Sequence, residues 1–339
     1  MKAAVFKEAR KIVVQDVPEP EAGPGEVVIK VKCVGICGSD LHLYSYGFLP
    51  PDYIMGHEAA GTIAAVGPDV SGWNEGDRVW IAGGAVCGMC DFCREGRFEA
   101  CRNPLSIGTG ALPGAYAEYI KVPVRFLTRL PDDIGMREAT LVDPVGCAHY
   151  PVTMSGIRPG QSALVIGGGP IGLFAVHYLS SLGIHPIILS EPVARRARLG
   201  AEFGADLVLD PVRDSIATET KKLTRDIGPD VVYECVGVPA TILDSISLVR
   251  RGGVVAWIGV CMEEVTFVPA LWTFQKPSIY ISFGMGPKEK IQNYLEFIRN
   301  NQHTLRKAIT ETIPLEETPD AFERLLRPNT EVKVVVEFD

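Results

Sequence analysis

The chain has 339 residues, 47% of them apolar and 22% charged, with a formal net charge of −8. That composition excludes a disordered or low-complexity polypeptide, and an acidic balance without a basic stripe argues against nucleic acid as a partner. The length exceeds that at which one hydrophobic core keeps growing, so two domains are expected. Residues 159–190 carry no Asp, Glu, Lys or Arg, a run long enough to suggest a membrane span. Gly167, Gly168, Gly169, Pro170, Gly172 and Gly183 interrupt it, and its pattern switches from strand to helix and back, so no membrane association is expected. The first ten residues lack the apolar core of a secretory signal. Nine cysteines, an odd number, do not suggest a disulfide framework, and a reducing cytoplasm is the expected compartment.

Up to about residue 150 the sequence reads as short strands between Gly and Pro turns: VVIKVKCVGI, AAGTIAAVG, DRVWIAGG and AEYIKVP. This is the texture of an irregular β domain. From about Pro159 the pattern becomes SALVIG, a helix from Pro170, HPIILS, a helix around Arg195 to Phe203, DLVLD, PDVVYECVG, GGVVAWIGV and SIYISFG. Uninterrupted apolar strands alternating with helices predict an α/β domain with a parallel sheet buried on both faces. An amphipathic helix, KEKIQNYLEFIRN, and a closing strand, VKVVVEF, follow. The expected division is residues 1–150 with 287–339 in one domain and an inserted second domain over 151–286.

Two groups of metal-ligating residue types fall in the first part. Cys37, Ser39, Asp40 and His42 lie close together and are followed by Gly56, His57 and Glu58. One thiol, one imidazole and one carboxylate, with a further carboxylate at Asp143, form a mixed set that leaves a coordination position open, as catalytic zinc sites do. Cys87, Cys90, Cys93 and Cys101 have the spacing C-x2-C-x2-C-x7-C. Four thiolates suit a tetrahedral Zn2+ with no vacancy, a structural site.

Gly167, Gly169, Pro170, Ile171 and Gly172 belong to a G-x-G-x-x-G stretch that follows the strand SALVI and opens a helix. Glu191 ends the next strand, 19 residues after Gly172. The glycines would admit a pyrophosphate to a helix N-terminus, and the carboxylate would accept bonds from the adenosine ribose. A carboxylate there favours NAD over NADP, although Arg195 and Arg196 sit where a 2'-phosphate could be met.

With GHEAAGTIAAVGPDV fitting G-H-E-x2-G-x5-G-x2-V, the four-cysteine lobe and the nucleotide motif in this order, the chain resembles the zinc-dependent medium-chain alcohol dehydrogenases over essentially its whole length. The segment LVDPVGCAHY resembles the branch of sorbitol, butanediol, glucose and threonine dehydrogenases. The resemblance implies a GroES-like catalytic domain joined to a Rossmann doubly wound domain. It also implies one catalytic zinc on Cys37 and His57, with Glu58 joining directly or through water. Asp143, which stands where many relatives have Glu, would ligate zinc or hold its water. Asp40 would orient the His57 ring.

By the same resemblance, Ser39 and His42 relay the alcohol proton to solvent, Gly259, Val260, Ser282, Phe283 and Gly284 hold the nicotinamide end, and Val236 is a further cofactor-binding residue. Arg196 joins the adenosine end. Tyr44, Tyr46, Phe48 and Trp272 fall in segments that line the substrate cleft in relatives. The implied activity is hydride transfer between NAD and a secondary alcohol or carbonyl substrate, a polyol or diol, with an L-threonine 3-dehydrogenase type as the alternative. Zinc-free quinone or enoyl reductases and a non-enzymatic zinc module are disfavoured, and a homo-oligomer, tetramer or dimer, is implied.

Overall fold

The strand Glu26–Gly35 organises the first part of the molecule, because its β-branched residues Val27, Val28, Ile29, Val31 and Val34 are buried on both of its faces. It pairs antiparallel with Glu58–Val66, with Tyr119–Pro123 and with the C-terminal strand Lys333–Glu337. The computed structural model describes residues 1–339, the side chain of Glu99 excepted. Strand order in this sheet runs Leu127–Arg129, Arg78–Ile81, Glu58–Val66, Glu26–Gly35, Lys333–Glu337 and Ile309–Pro314.

The second sheet has six strands, all parallel, in the spatial order Leu207–Leu209, Ile187–Ser190, Ala163–Ile166, Val231–Glu234, Val254–Trp257 and Ser278–Ile281. Counted along the chain this is 3-2-1-4-5-6, the doubly wound dinucleotide order, with its switch point beside Ala163–Ile166. Its core is aliphatic: Leu164, Ile188, Val232, Ile246 and Val255 are buried together.

The chain divides into two compact units, Met1–Asp143 with Pro287–Gln302 and Ile309–Asp339, and Pro144–Gly286 with His303–Ala308. The first junction falls inside the helix Val142–Ser155, earlier than position 150. The helix carries on into the second unit because Ser155 Oγ bonds the Tyr233 hydroxyl at 2.7 Å and the Tyr280 hydroxyl donates to the Pro151 carbonyl. Residues 303–308 join the second unit as well, where Lys307 Nζ meets Glu202 at 2.6 Å. Among the described residues, no helix is long and apolar enough to cross a membrane.

Candidate active site and zinc lobe

Cys37 caps the helix Gly38–Tyr46, and Asp40, three residues on, folds back to accept the Cys37 backbone N–H at 3.1 Å. That turn aims the other Asp40 oxygen, Oδ1, at His57 Nδ1, 3.2 Å away; neither atom has another hydrogen-bonding partner. Asp40 is wholly buried, and its second oxygen also receives the Tyr116 hydroxyl at 2.7 Å. With Nδ1 committed to Asp40, Nε2 is the His57 nitrogen left for a metal. Burial alone would lower the His57 pKa, but the charge and hydrogen bond of Asp40, with Cys37 beside it, hold it well above its ordinary value. Asp40 in turn is held below the usual carboxylate range, the imidazole and the Tyr116 hydroxyl outweighing its burial.

The ligand atoms of Cys37, His57 and Glu58 all lie within 4.8 Å of one another. Sheet register places Glu58 there: it pairs with Gly35, where any side chain would collide with the Glu58 carboxylate. Both Glu58 oxygens accept from the Lys333 ammonium, at 2.8 and 2.7 Å, and Lys333 also donates to the Ile36 carbonyl at 3.0 Å. Burial would lower the Lys333 pKa; the Glu58 charge outweighs it and keeps the ammonium protonated. Asp143 stands outside the three-ligand group. Its Oδ2 lies across Gly83 from His57, so that a Cβ at residue 83 would meet both, at 3.4 and 3.3 Å. Thiol, imidazole and carboxylate converging from three segments, the imidazole already oriented, fit a metal cation with an open position.

Ser39 and His42 are three residues apart on the helix Gly38–Tyr46 and share one face of it, both half-buried. Burial lowers the His42 pKa from its ordinary value. Of the aromatic candidates nearby, Tyr44 is core: it packs edge-to-face on Phe322 and its hydroxyl bonds Glu323 at 2.9 Å. Tyr46 and Phe48 stack on each other and stay exposed, while Trp272 stacks on Phe267 in the second unit.

Cys87, Cys90, Cys93 and Cys101 converge, their sulfurs all within 4.8 Å. Cys87 Sγ and Cys93 Sγ are 3.9 Å apart, close to the roughly 3.8 Å edge of a tetrahedron with Zn–S near 2.3 Å. Backbone N–H groups of Met89 and Cys90 draw the Cys87 thiol down to about 6, and those of Arg102 and Cys93 lower Cys90. Burial pushes Cys93 up to about 12. Thiolate-stabilising amides around a sulfur that resists ionisation by itself are the environment a dication would resolve. This donor set fits zinc, and a complete set of four sulfurs leaves no position for substrate.

In the second unit, Gly167 has φ +97° and donates to the Ser190 carbonyl, and Gly169 caps the helix Pro170–Ser181, with Pro170 at its first position. A Cβ on Gly172 would collide with the Gly167 carbonyl. Glu191 is 4% exposed, and its two oxygens accept from Gly168 N–H at 2.6 Å and Val193 N–H at 2.7 Å. Val236 N–H and Gly237 N–H both donate at 2.8 Å to Glu234, a wholly buried carboxylate. Gly259 N–H bonds the Glu234 carbonyl, and Ser282 N–H bonds that of Trp257. Val260 and Phe283 are exposed, and Gly284 has φ +80°. Arg196 lies on the helix Ala194–Glu202, which follows Glu191.

Lys333, Tyr116 and Gly168 are the residues in these sites that sequence reasoning does not single out. Each of the three bonds a candidate residue rather than standing in a motif itself, Lys333 with Glu58, Tyr116 with Asp40 and Gly168 with Glu191, and no local motif marks such contacts.

Residues 23–132 match the alcohol dehydrogenase GroES-like domain and residues 170–300 the zinc-binding dehydrogenase domain. Sorbitol dehydrogenase of Bacillus subtilis is 34% identical over 343 residues, covering 99% of this chain and 97% of that protein. This chain belongs to the zinc-dependent medium-chain alcohol dehydrogenase family. As a member it is an oxidoreductase acting on CH–OH groups, built from a GroES-like and a Rossmann part. L-threonine 3-dehydrogenase of Pyrococcus horikoshii is also 34% identical, over 96% of this chain and 94% of its own. A zinc-binding dehydrogenase of Sinorhizobium meliloti 1021, solved bound to NADP, is 31% identical with a TM-score of 0.90 over 99% of each chain.

Proposed function

We propose that the chain is an NAD- and zinc-dependent dehydrogenase of secondary alcohols whose substrate is a polyol or a vicinal diol. The observation that supports it most is the Cys37, His57 and Glu58 group with its buried Asp40 orienter, accompanied by a closed four-cysteine lobe. Zinc bound at Cys37, His57 and Glu58 supplies a Lewis acid for the substrate hydroxyl, and NAD supplies the hydride acceptor. The protein's part is positioning and proton movement. Asp40 fixes the His57 ring through Nδ1, and Lys333 fixes the Glu58 carboxylate. Ser39 Oγ takes the alcohol proton, and the His42 imidazole, one helical turn on, passes it to solvent. Asp143, across Gly83 from His57, holds water or ligand at the open side.

On the coenzyme, Gly167, Gly169, Pro170, Ile171 and Gly172 take the pyrophosphate, and Glu191, with Arg196 on the following helix, takes the adenosine ribose. Val236, Gly259, Val260, Ser282, Phe283 and Gly284 take the nicotinamide end. The Glu191 carboxylate favours NAD over NADP, because a 2'-phosphate brought to it would be repelled. The similarity to sorbitol dehydrogenase supports the polyol reading, and the equal similarity to L-threonine 3-dehydrogenase keeps a 3-hydroxy amino acid as the second reading. A panel of polyols, 2,3-diols, aldoses and threonine scanned for NAD reduction separates them. Turnover on threonine alone would overturn the polyol assignment.

The protein works as a homo-oligomer, tetramer or dimer, in a reducing cytoplasm. Supporting the first is the edge strand Ser278–Ile281, which has a neighbour on one side and carries an exposed Ile281, with exposed Leu271, Phe274 and Phe283 close in sequence. Supporting the second, the nine cysteines are an odd number and four of them converge as a metal-ligand set rather than as a disulfide framework.

A further inference from the structure

Gly168, the second residue of the glycine-rich loop, is there for a reason other than backbone conformation. Its φ lies outside the left-handed region that Gly167 occupies, so an alanine could follow the same backbone. What a Cβ would meet is Glu191: Cγ at 2.9 Å, Oε2 at 3.0 Å and Cβ at 3.3 Å. The Gly168 N–H donates to that Oε2 at 2.6 Å, while Val193 N–H holds Oε1 at 2.7 Å. A carboxylate has about four acceptor lone pairs, so two backbone donors leave two, the number that two vicinal ribose hydroxyls require.

We infer that Gly168 is a positioning residue for coenzyme selection: its amide presents the Glu191 carboxylate to the adenosine ribose, and its missing side chain leaves room for that carboxylate. This rests on the dinucleotide reading proposed above. The clash created by a methyl group at residue 168 is relieved by swinging Glu191 away. That swing gives up both the acceptor for the 2'-hydroxyl and the charge that repels a 2'-phosphate. NADH binding therefore weakens more than NADPH binding.

Fluorescence titration of NADH and NADPH against wild type, Gly168→Ala, Glu191→Gln and the double variant tests this without turnover. The preference for NADH over NADPH should narrow roughly tenfold in Gly168→Ala, the scale of one hydrogen bond to a charged acceptor. It should narrow at least as far in Glu191→Gln, and the double variant should match Glu191→Gln, because the alanine has no further charge to displace. Equal weakening of both coenzymes in Gly168→Ala, or an unchanged preference there while Glu191→Gln narrows it, overturns the positioning role alone. An unchanged preference in Glu191→Gln overturns the ribose contact itself, and this inference with it. Should Gly168→Ala not fold, hydrogen exchange of the 167–169 segment in Glu191→Ala gives the answer: faster exchange supports the Gly168 bond, and unchanged protection refutes it.

Discussion

The Glu58 carboxylate and the Lys333 ammonium are 1% and 2% exposed and meet through two hydrogen bonds. A buried ion pair is costly to assemble, yet removing one partner strands the other, at a cost of about 3–5 kcal/mol. Lys333→Met should lower stability by that order in urea unfolding, and Glu58→Gln combined with it should recover a measurable part. Additive losses would show that the two side chains are energetically independent. This pair was not legible in the sequence, since 275 residues separate its members and no spacing rule links them. Cys37, His57 and Glu58 were legible because residue type and proximity to glycines mark them. The Asp40–His57 contact was legible too, because a ligating imidazole needs an acceptor at its other nitrogen. Tyr116, a further layer out, has no such signal.

At the scale of elements, the doubly wound sheet was readable strand by strand, since parallel strands buried on both faces are continuous apolar runs such as ALVI and IILS. The helices Ile216–Leu223 and Pro239–Leu248 and the junction inside Val142–Ser155 were not read. In the last of these, Pro144 and Pro151 mask a continuous helix that tertiary hydrogen bonds sustain. On that helix His149 stacks on Tyr178 of the helix Pro170–Ser181, ring centroids 3.7 Å apart, and burial, with His177 nearby, pulls its pKa down to about 3. The folded protein thus keeps His149 neutral where the unfolded chain would protonate it. Stability from this residue is complete above pH 6.5 and is lost as pH falls toward 3, at about 1.4 kcal/mol per unit. Urea midpoints measured across that window should flatten in His149→Phe, and a profile identical to wild type would contradict the assignment. In the adjoining helix, Gly172→Ala drives a methyl group into the Gly167 carbonyl and should lower both Tm and NADH affinity. A fully stable variant with wild-type affinity would mean the loop does not hold coenzyme.

For the whole molecule, the edge strand Ser278–Ile281 makes an assembly prediction. Ile281, 76% exposed, should be covered by another copy, and Ile281→Asp should shift the mass measured by light scattering toward the monomer. A wild-type protein that is monomeric at micromolar concentration would contradict the oligomer. On the proposed function, one chain carries two zinc ions with different duties, one closed among four sulfurs and one open at Cys37, His57 and Glu58. Metal content measured on wild type and Cys37→Ser tests it most directly. The expected result is two zinc ions per chain falling to one, with turnover abolished and NADH binding nearly intact. A Cys37→Ser protein that keeps both ions, or that still oxidises alcohols, would refute a catalytic zinc at Cys37.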